Sequence, residues 1–405
     1  MRPVSAHDVD AIEFVLSLGR ALHRYGTPAH RLEEALGVCC RQLGLEAEVF
    51  STPTTIIMSF GEPAELRTRM MRVEAGELDM GKLAQVDALA DLVAARTITA
   101  AEGVERLEEI IAAPPRFSGP VSTLVHGVTS GSMSVFFGGS FQDVVVAAAI
   151  GLTVGLLAQF ARRSTAQARV FELVGAAFAS FAAALASSLW PGVSPSLVTV
   201  AALIVLLPGM SLTVAVTELA TRNLIAGTAR LMSAVIVLLE LVVGVALGER
   251  LASTLVEVQA ATAVPLPAWS PWVALLGSGL GISIIVQARP NAFGWIVGGC
   301  ITGYLGSRAG TTWLGPGMGV LVGAFALGVL SNVFARLFSR PAQVVQVPAV
   351  FTLVPGSMGF RGMDSILDHD TLSGVETVFV MFVAATAIAA GLLIANAVVS
   401  PRRSL

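Results

Sequence analysis

The chain has 405 residues, of which 54% are apolar and only 13% are charged, and its mean hydropathy is +0.77. Soluble globular chains carry about 25% charged residues, so this composition indicates a membrane protein. A net charge of −3 excludes the basic field that nucleic-acid binding needs, and three cysteines are too few for a disulfide framework or a zinc site.

Charged residues are concentrated at the N-terminal end. Residues 1–115 carry 11 basic and 18 acidic side chains, whereas the rest of the chain has a net charge of +4. We therefore predict a small acidic α/β domain over residues 1–116, followed by a multi-pass α-helical membrane domain. The first 25 residues include Asp8, Asp10 and Glu13 and lack the apolar core of a signal peptide, so we expect this first domain in the cytoplasm.

The elements of the first domain can be predicted in chain order. Apolar spacing indicates a helix over 8–25, and a second helix should end at Leu43, with Thr27 as its N-cap and Pro28 as its first residue. Three short strands are then expected at 47–51, 54–60 and 66–73, and two helices follow, the second opened by the capping box Thr99-Ala-Ala-Glu102.

Beyond residue 120 the sequence predicts ten hydrophobic segments, each close to the length that crosses a bilayer. We group them into two five-helix halves, residues 117–255 and 268–400. The segments lie near 121–139, 143–161, 170–189, 195–220, 224–247, 271–287, 291–306, 313–335, 343–362 and 372–398.

Arginines in the short loops predict the orientation. With the N-terminus inside, ten arginines fall in inner loops and only Arg250, Arg308 and Arg361 fall in outer loops. This positive-inside bias predicts a multi-pass protein of the bacterial cell (inner) membrane with both termini in the cytoplasm.

The two halves resemble each other. A shift of 147 residues places Leu206–Gly209 on Leu353–Gly356, and a shift of 148 places Gly151–Gly155 on Gly299–Gly303. Because each half has an odd number of segments, contiguous repeats would have opposite orientations. The sequence thus predicts a 5+5 inverted repeat, which is typical of transporters that work by alternating access.

Pro-Gly pairs interrupt the fourth and the ninth segments at equivalent positions. Proline removes a backbone donor and glycine permits unwinding, so each pair should break its helix. The N-terminus of a half-helix suits a carboxylate, and matched interruptions point to a transport site, although each pair could also be a structural kink. The candidate substrate-binding residues are Pro208, Gly209, Met210, Ser211, Thr213, Thr217, Pro355, Gly356 and Ser357.

Ionisable residues in apolar segments are costly and usually face a cavity or a partner. Glu240 lies within the run Val235–Val245, which predicts a deep position. Glu218 and Arg230 could pair across the turn between their segments. We assign Glu218, Glu240 and Arg230 as candidates for proton coupling.

Three other groups of residues have alternative readings. A hydrolase site could be formed by His23, Tyr25, His30, Arg31, Glu34 and Cys39. Packing and a salt bridge within a helical turn are favoured, because no nucleophile elbow, HExxH motif or phosphate loop accompanies them. The loop with Arg361, Asp364, Asp368, His369 and Asp370 is expected to be solvated rather than metal-binding, so no metal or other cofactor is predicted. Gly151/Gly155 and Gly294/Gly298 predict close helix packing.

Several stretches resemble the threonine/serine exporter family. They are His23–Gly26, Arg31–Glu34 and Pro53–Ile56 in the first domain, Leu207–Leu212 with Glu218 and Arg230, and Val354–Ser357 with Arg340–Ala342. The resemblance implies a cytoplasmic domain followed by five and five spans. It also implies proton-driven export of a small amino acid; split relatives are associated with dicarboxylates.

The sequence leaves several functions open. The leading hypothesis is a secondary exporter of threonine and serine. The alternatives are a dicarboxylate exporter, a membrane-anchored hydrolase that acts through the first domain, and a channel. The predicted partners are the substrate, protons and the lipid bilayer, and homo-oligomer formation is open.

Overall fold

The computed structural model describes residues 6–61, 66–74, 76, 78–257, 264, 266–315, 317–353, 356–367 and 370–401. Within them, the N-terminal part forms four helices and three strands. In order these are α1 (Ala6–Arg24), α2 (Ala29–Leu43), β1 (Ala47–Thr52), β2 (Thr55–Phe60), β3 (Arg67–Arg72), α3 (Met80–Ala94) and α4 (Ala100–Ala112).

The three strands form an antiparallel sheet in the order β1-β2-β3. Alternate residues of β2 face the helices, so Ile56, Met58 and Phe60 are buried with Phe14 and Leu36 in the core. The predicted strands are confirmed to within two residues at each end.

Helix ends follow the predicted signals, with one correction. Gly44 adopts the left-handed conformation after α2, and the Thr99 hydroxyl accepts a hydrogen bond from the Glu102 amide at the start of α4. The prediction for the start of α2 was wrong by one residue, because Pro28 is the N-cap and the helix begins at Ala29.

The remaining chain is helical apart from its loops. Five of its described helices are long and apolar enough to cross a membrane: α6, α8, α11, α14 and α17. The full series is α5 (Gly119–Phe136), α6 (Phe141–Ala161), α7 (Thr165–Ala168), α8 (Phe171–Leu189), α9 (Pro195–Ala202), α10 (Gly209–Ala220), α11 (Leu224–Ser253), α12 (Ser270–Ile285), α13 (Pro290–Leu314), α14 (Gly319–Phe338), α15 (Gln343–Val350), α16 (Gly356–Leu367) and α17 (Thr371–Val398).

Glycines set how closely some of these helices pack. Gly151 and Gly155 on α6 lie against Ser130 and His126 of α5, which confirms the predicted close packing. The same prediction for Gly294 and Gly298 was wrong, because a Cβ at either position would meet no described atom within 4 Å.

Two of the long helices pack in parallel on earlier ones, α11 on α8 and α17 on α14. Gly244 of α11 lies against the Leu173 carbonyl, and a Cβ there would be 2.8 Å from the Cβ of Ala176 on α8. Gly391 of α17 lies in the same way against the Leu321 carbonyl, and a Cβ built on Gly391 would be 2.9 Å from the Cβ of Ala324 on α14.

The N-terminal domain is docked onto the membrane helices. The Met80 amide donates to the Val286 carbonyl at 2.9 Å, and the Phe117 amide donates to the Gln287 side chain at 2.8 Å. One hydrophobic core runs from the domain into α12, α13 and α15. The domain therefore lies next to the turn between α12 and α13 and next to α15.

Candidate functional site

After each predicted break, a new helix begins at the glycine of the Pro-Gly pair. The fourth segment is helical to Ala202 and again from Gly209, with Pro208 as the N-cap. The ninth segment is interrupted after Val350, and α16 begins at Gly356. Pro355 lies outside the described residues.

The two breaks touch each other. A Cβ on Gly356 would lie 3.0 Å from the Cα of Gly209 and 3.1 Å from its amide nitrogen. This is closer than nearly all real Cβ contacts, so a larger residue at position 356 would have to displace the start of α10 by a few tenths of an ångström. The two breaks are therefore adjacent, and their role in binding substrate stays a prediction.

A cavity of about 370 Å³ lies between the N-terminal domain and the second half of the broken fourth segment. Of the candidate substrate residues, Met210, Thr213 and Thr217 line it. The others, Pro208, Gly209, Ser211, Gly356 and Ser357, are not among its lining residues.

Two threonines present oxygen acceptors to this cavity. The Thr213 hydroxyl donates to the Gly209 carbonyl at 3.1 Å, and the Thr217 hydroxyl donates to the Thr213 carbonyl at 2.8 Å. Because each proton is already donated to backbone, the hydroxyl lone pairs remain to accept hydrogen bonds from a ligand.

The N-terminal domain forms the opposite wall. It contributes Thr27, His30, Arg31 and Glu34 from the start of α2 and its preceding turn, and Asp87 from α3. Sequence analysis did not assign these residues to the transport site, because no local pattern connects residue 30 with residue 213. Polar side chains from α15, from α17 and from the residues after α17 complete the lining: Gln343, Gln346, Asn396 and Ser400.

Glu218 is completely buried next to this cavity and is tied to two elements. Its carboxylate accepts hydrogen bonds from Arg230 Nε at 3.0 Å and Nη2 at 3.2 Å, which confirms the predicted pair. It also accepts one at 3.0 Å from the amide of Ala29, the first residue of α2. A helix N-terminus favours negative charge, so the N-terminal domain is fastened to α10 through this carboxylate.

Glu240 does not line the cavity. It lies one helical turn before Gly244, which contacts Leu173 at the start of α8, and it interacts electrostatically with Glu172. Its predicted deep position and its assignment to proton coupling stay predictions.

Two histidines in the docked domain are kept neutral. Burial lowers the pKa of His30 to about 4, with Arg31 acting in the same direction and Glu218 in the opposite one. Burial and, secondarily, Arg230 lower the pKa of His23. Both imidazoles are uncharged at neutral pH.

The environment of Cys39 does not support the hydrolase alternative. Its side chain is buried, and burial raises the pKa of the thiol to about 12. A thiolate is the nucleophilic form of cysteine, so this side chain is not activated for attack at neutral pH.

Two arginines at the end of α14 and just beyond it donate hydrogen bonds to neighbouring polar groups. Arg336 donates to Ser400, and Arg340 donates to Asn291. The prediction of a loop at Arg361 and Asp364 was wrong, because both residues belong to α16. The guanidinium of Arg361 lies 4.7 Å from the ring centre of Phe137, and Asp368 and His369 lie outside the described residues.

Comparisons with known proteins bear on identity. Residues 13–252 match a family model described as "Putative threonine/serine exporter", and residues 272–398 match a second threonine/serine exporter model. The chain belongs to the threonine/serine exporter family. It is thus a membrane protein of a family of exporters, with both family regions in one chain.

Fungal membrane proteins are among its relatives. The chain is 28% identical to pheromone-regulated membrane protein 10 of Eremothecium gossypii, in an alignment covering 88% of this chain and 50% of that protein. Its identity to the protein of the same name in Saccharomyces cerevisiae is 29%, covering 90% and 49%. The chain spans about half the length of the curated relatives it matches. No solved structure matches it.

Proposed function

We propose that the protein is a secondary active exporter of small amino acids, with threonine and serine as substrates. The observation that carries this proposal is the contact between Gly209 and Gly356, which joins two interrupted helices beside a polar cavity. Paired half-helices are where transporters of this kind bind substrate. The half-helix N-termini at Gly209 and Gly356 would attract the carboxylate of a substrate that enters the cavity beside them.

We propose ten spans arranged as two inverted repeats. The matched packing of Gly244 on Ala176 and of Gly391 on Ala324 supports this, since the paired positions differ by 147 and 148 residues. Eight segments would cross as single helices, and the fourth and ninth would cross as α9–α10 and α15–α16.

We place the protein in the bacterial inner membrane with both termini in the cytoplasm. The docked domain contacts or borders the segments that the arginine pattern assigned to the inner side. These are the start of α11, the α12–α13 turn, the start of α15 and the end of α17. Their common location supports one cytoplasmic face.

We propose that export is coupled to protons, with Glu218 as the group that exchanges a proton and Arg230 as its partner. Glu218 borders Thr217 of the cavity and is completely buried, whereas Glu240 lies away from it. A proton on Glu218 would release both Arg230 and the α2 amide. That change would link protonation to the arrangement of α10.

Counterflow in proteoliposomes tests the proposal. Labelled threonine or serine should accumulate when unlabelled threonine is present on the opposite side, whereas succinate should not. A Glu218→Gln variant should keep exchange but lose uphill transport driven by a pH gradient, and Glu240→Gln should retain both. Exchange of succinate without threonine would support the dicarboxylate alternative, and turnover without transport would support a hydrolase.

A further inference from the structure

The wall that the N-terminal domain contributes to the cavity has a distinctive charge pattern. Among the described lining residues, the charged ones are Arg31, Glu34 and Asp87, and all three belong to this domain. Arg31 Nη1 lies 3.6 Å from Glu34 Oε2. The facing wall, from α10, α15 and α17, contributes uncharged polar groups, so the lining as a whole carries one excess negative charge.

Two polar atoms at this wall lack partners among the described residues. Thr27 is 7% exposed, and its hydroxyl oxygen is buried without a hydrogen bond. The Nδ1 atom of His30 is also buried and unpaired. A buried polar atom without a hydrogen bond is unfavourable, so a ligand in the cavity that reached these two atoms would gain affinity from them.

We propose that this wall is a substrate-selection site, in which Thr27, His30, Arg31, Glu34 and Asp87 bind a small zwitterion and reject a dianion. The inference rests on the proposed export function and adds where, and by which residues, substrate is selected. The guanidinium matches a carboxylate, and the two acidic side chains match an ammonium group. A dicarboxylate would bring a second negative charge beside Glu34 and Asp87.

The cavity volume fits this role. A volume of about 370 Å³ is at the small end of small-molecule sites and holds one amino acid with a few waters. Thr213 and Thr217 present acceptors for the ammonium group or a ligand hydroxyl from the opposite wall. The substrate would therefore contact the cytoplasmic domain and α10 simultaneously.

The test uses the full-length protein and measures equilibrium binding of labelled threonine, with succinate as competitor. The double variant Glu34→Gln/Asp87→Asn should weaken threonine binding about tenfold and make succinate at least tenfold more competitive. The control Glu105→Gln/Glu109→Gln removes the same charge from exposed positions on α4 and should behave as wild type. Thr27→Val should weaken threonine binding about tenfold, and Thr27→Ser should restore it.

The outcomes separate the two proposals. If wild-type protein binds threonine, but the double variant and Thr27→Val bind threonine and succinate as wild type does, the selection site is wrong and the exporter proposal stands. If wild-type protein neither binds nor transports threonine or serine, the proposed function is wrong and the selection site falls with it.

Discussion

The buried pair of Glu218 and Arg230 allows a quantitative prediction about stability. Glu218 is 0% exposed and accepts two hydrogen bonds from Arg230 and one from the Ala29 amide. Arg230→Met removes the cation and leaves a buried carboxylate with one donor. Breaking a buried pair in this way costs about 3–5 kcal/mol.

The double variant identifies the cause of that loss. Glu218→Gln/Arg230→Met has no buried charge at this position, so it should recover at least 1 kcal/mol relative to Arg230→Met. Arg250→Met is the matched control, because Arg250 is an exposed arginine at the far end of the same helix. It should stay within about 0.5 kcal/mol of wild type.

The assay is thermal unfolding in detergent at a fixed heating rate, which keeps midpoints comparable when unfolding is irreversible. For a chain of 405 residues, a loss of about 3 kcal/mol should lower the midpoint by roughly 3–4 °C. A midpoint for Arg230→Met that matches the control, or a double variant no more stable than Arg230→Met, would refute the argument from the buried charge.

Three further predictions concern the breaks and the docked domain. Gly356→Ala should abolish transport because its Cβ would press on the backbone of α10, whereas Gly298→Ala, in open space, should transport normally; equal activity of the two would contradict the contact. His30 has a folded pKa of about 4, below its ordinary value of 6.5, so the unfolded chain takes up its proton first on acidification. The free energy of unfolding should therefore be highest above pH 6.5 and should fall by about 3 kcal/mol as the pH approaches 4. In His30→Gln, the melting temperature should depend less on pH over that range. Ala29→Pro removes the amide that donates to Glu218, and the first position of a helix tolerates proline. A protease should then cut the segment 113–118, which connects the N-terminal domain to α5, faster than it does in the control Ala29→Gly. Equal rates of cleavage would contradict the role of this hydrogen bond in holding the domain.

Local signals in the sequence predicted much of the architecture. Gly44 and the Thr99 cap mark helix ends through backbone chemistry that depends on a few neighbouring residues. The Pro-Gly pair at residues 208 and 209 marks the break for the same reason. Glu218 and Arg230 are 12 positions apart across one turn, so their pairing could also be anticipated.

The parts that could not be predicted depend on contacts distant in the chain. Ala29 and Glu218 are separated by 189 residues, and an amide donor leaves no mark on side-chain patterns. The cavity wall formed by the N-terminal domain was missed for the same reason. Hydropathy likewise gave no sign of the interaction between Glu240 and Glu172, which are 68 positions apart.

The docking of the N-terminal domain has a consequence for how the chain is made. The domain is synthesised first, yet it donates a hydrogen bond to Val286 and shares its cavity with residues near the C-terminus, including Asn396 and Ser400. Chains fold from the N-terminus as they emerge from the ribosome, so the docking face of this domain stays uncovered until the second half has entered the membrane. The domain can therefore dock only after the helices of both regions have entered the membrane and packed together.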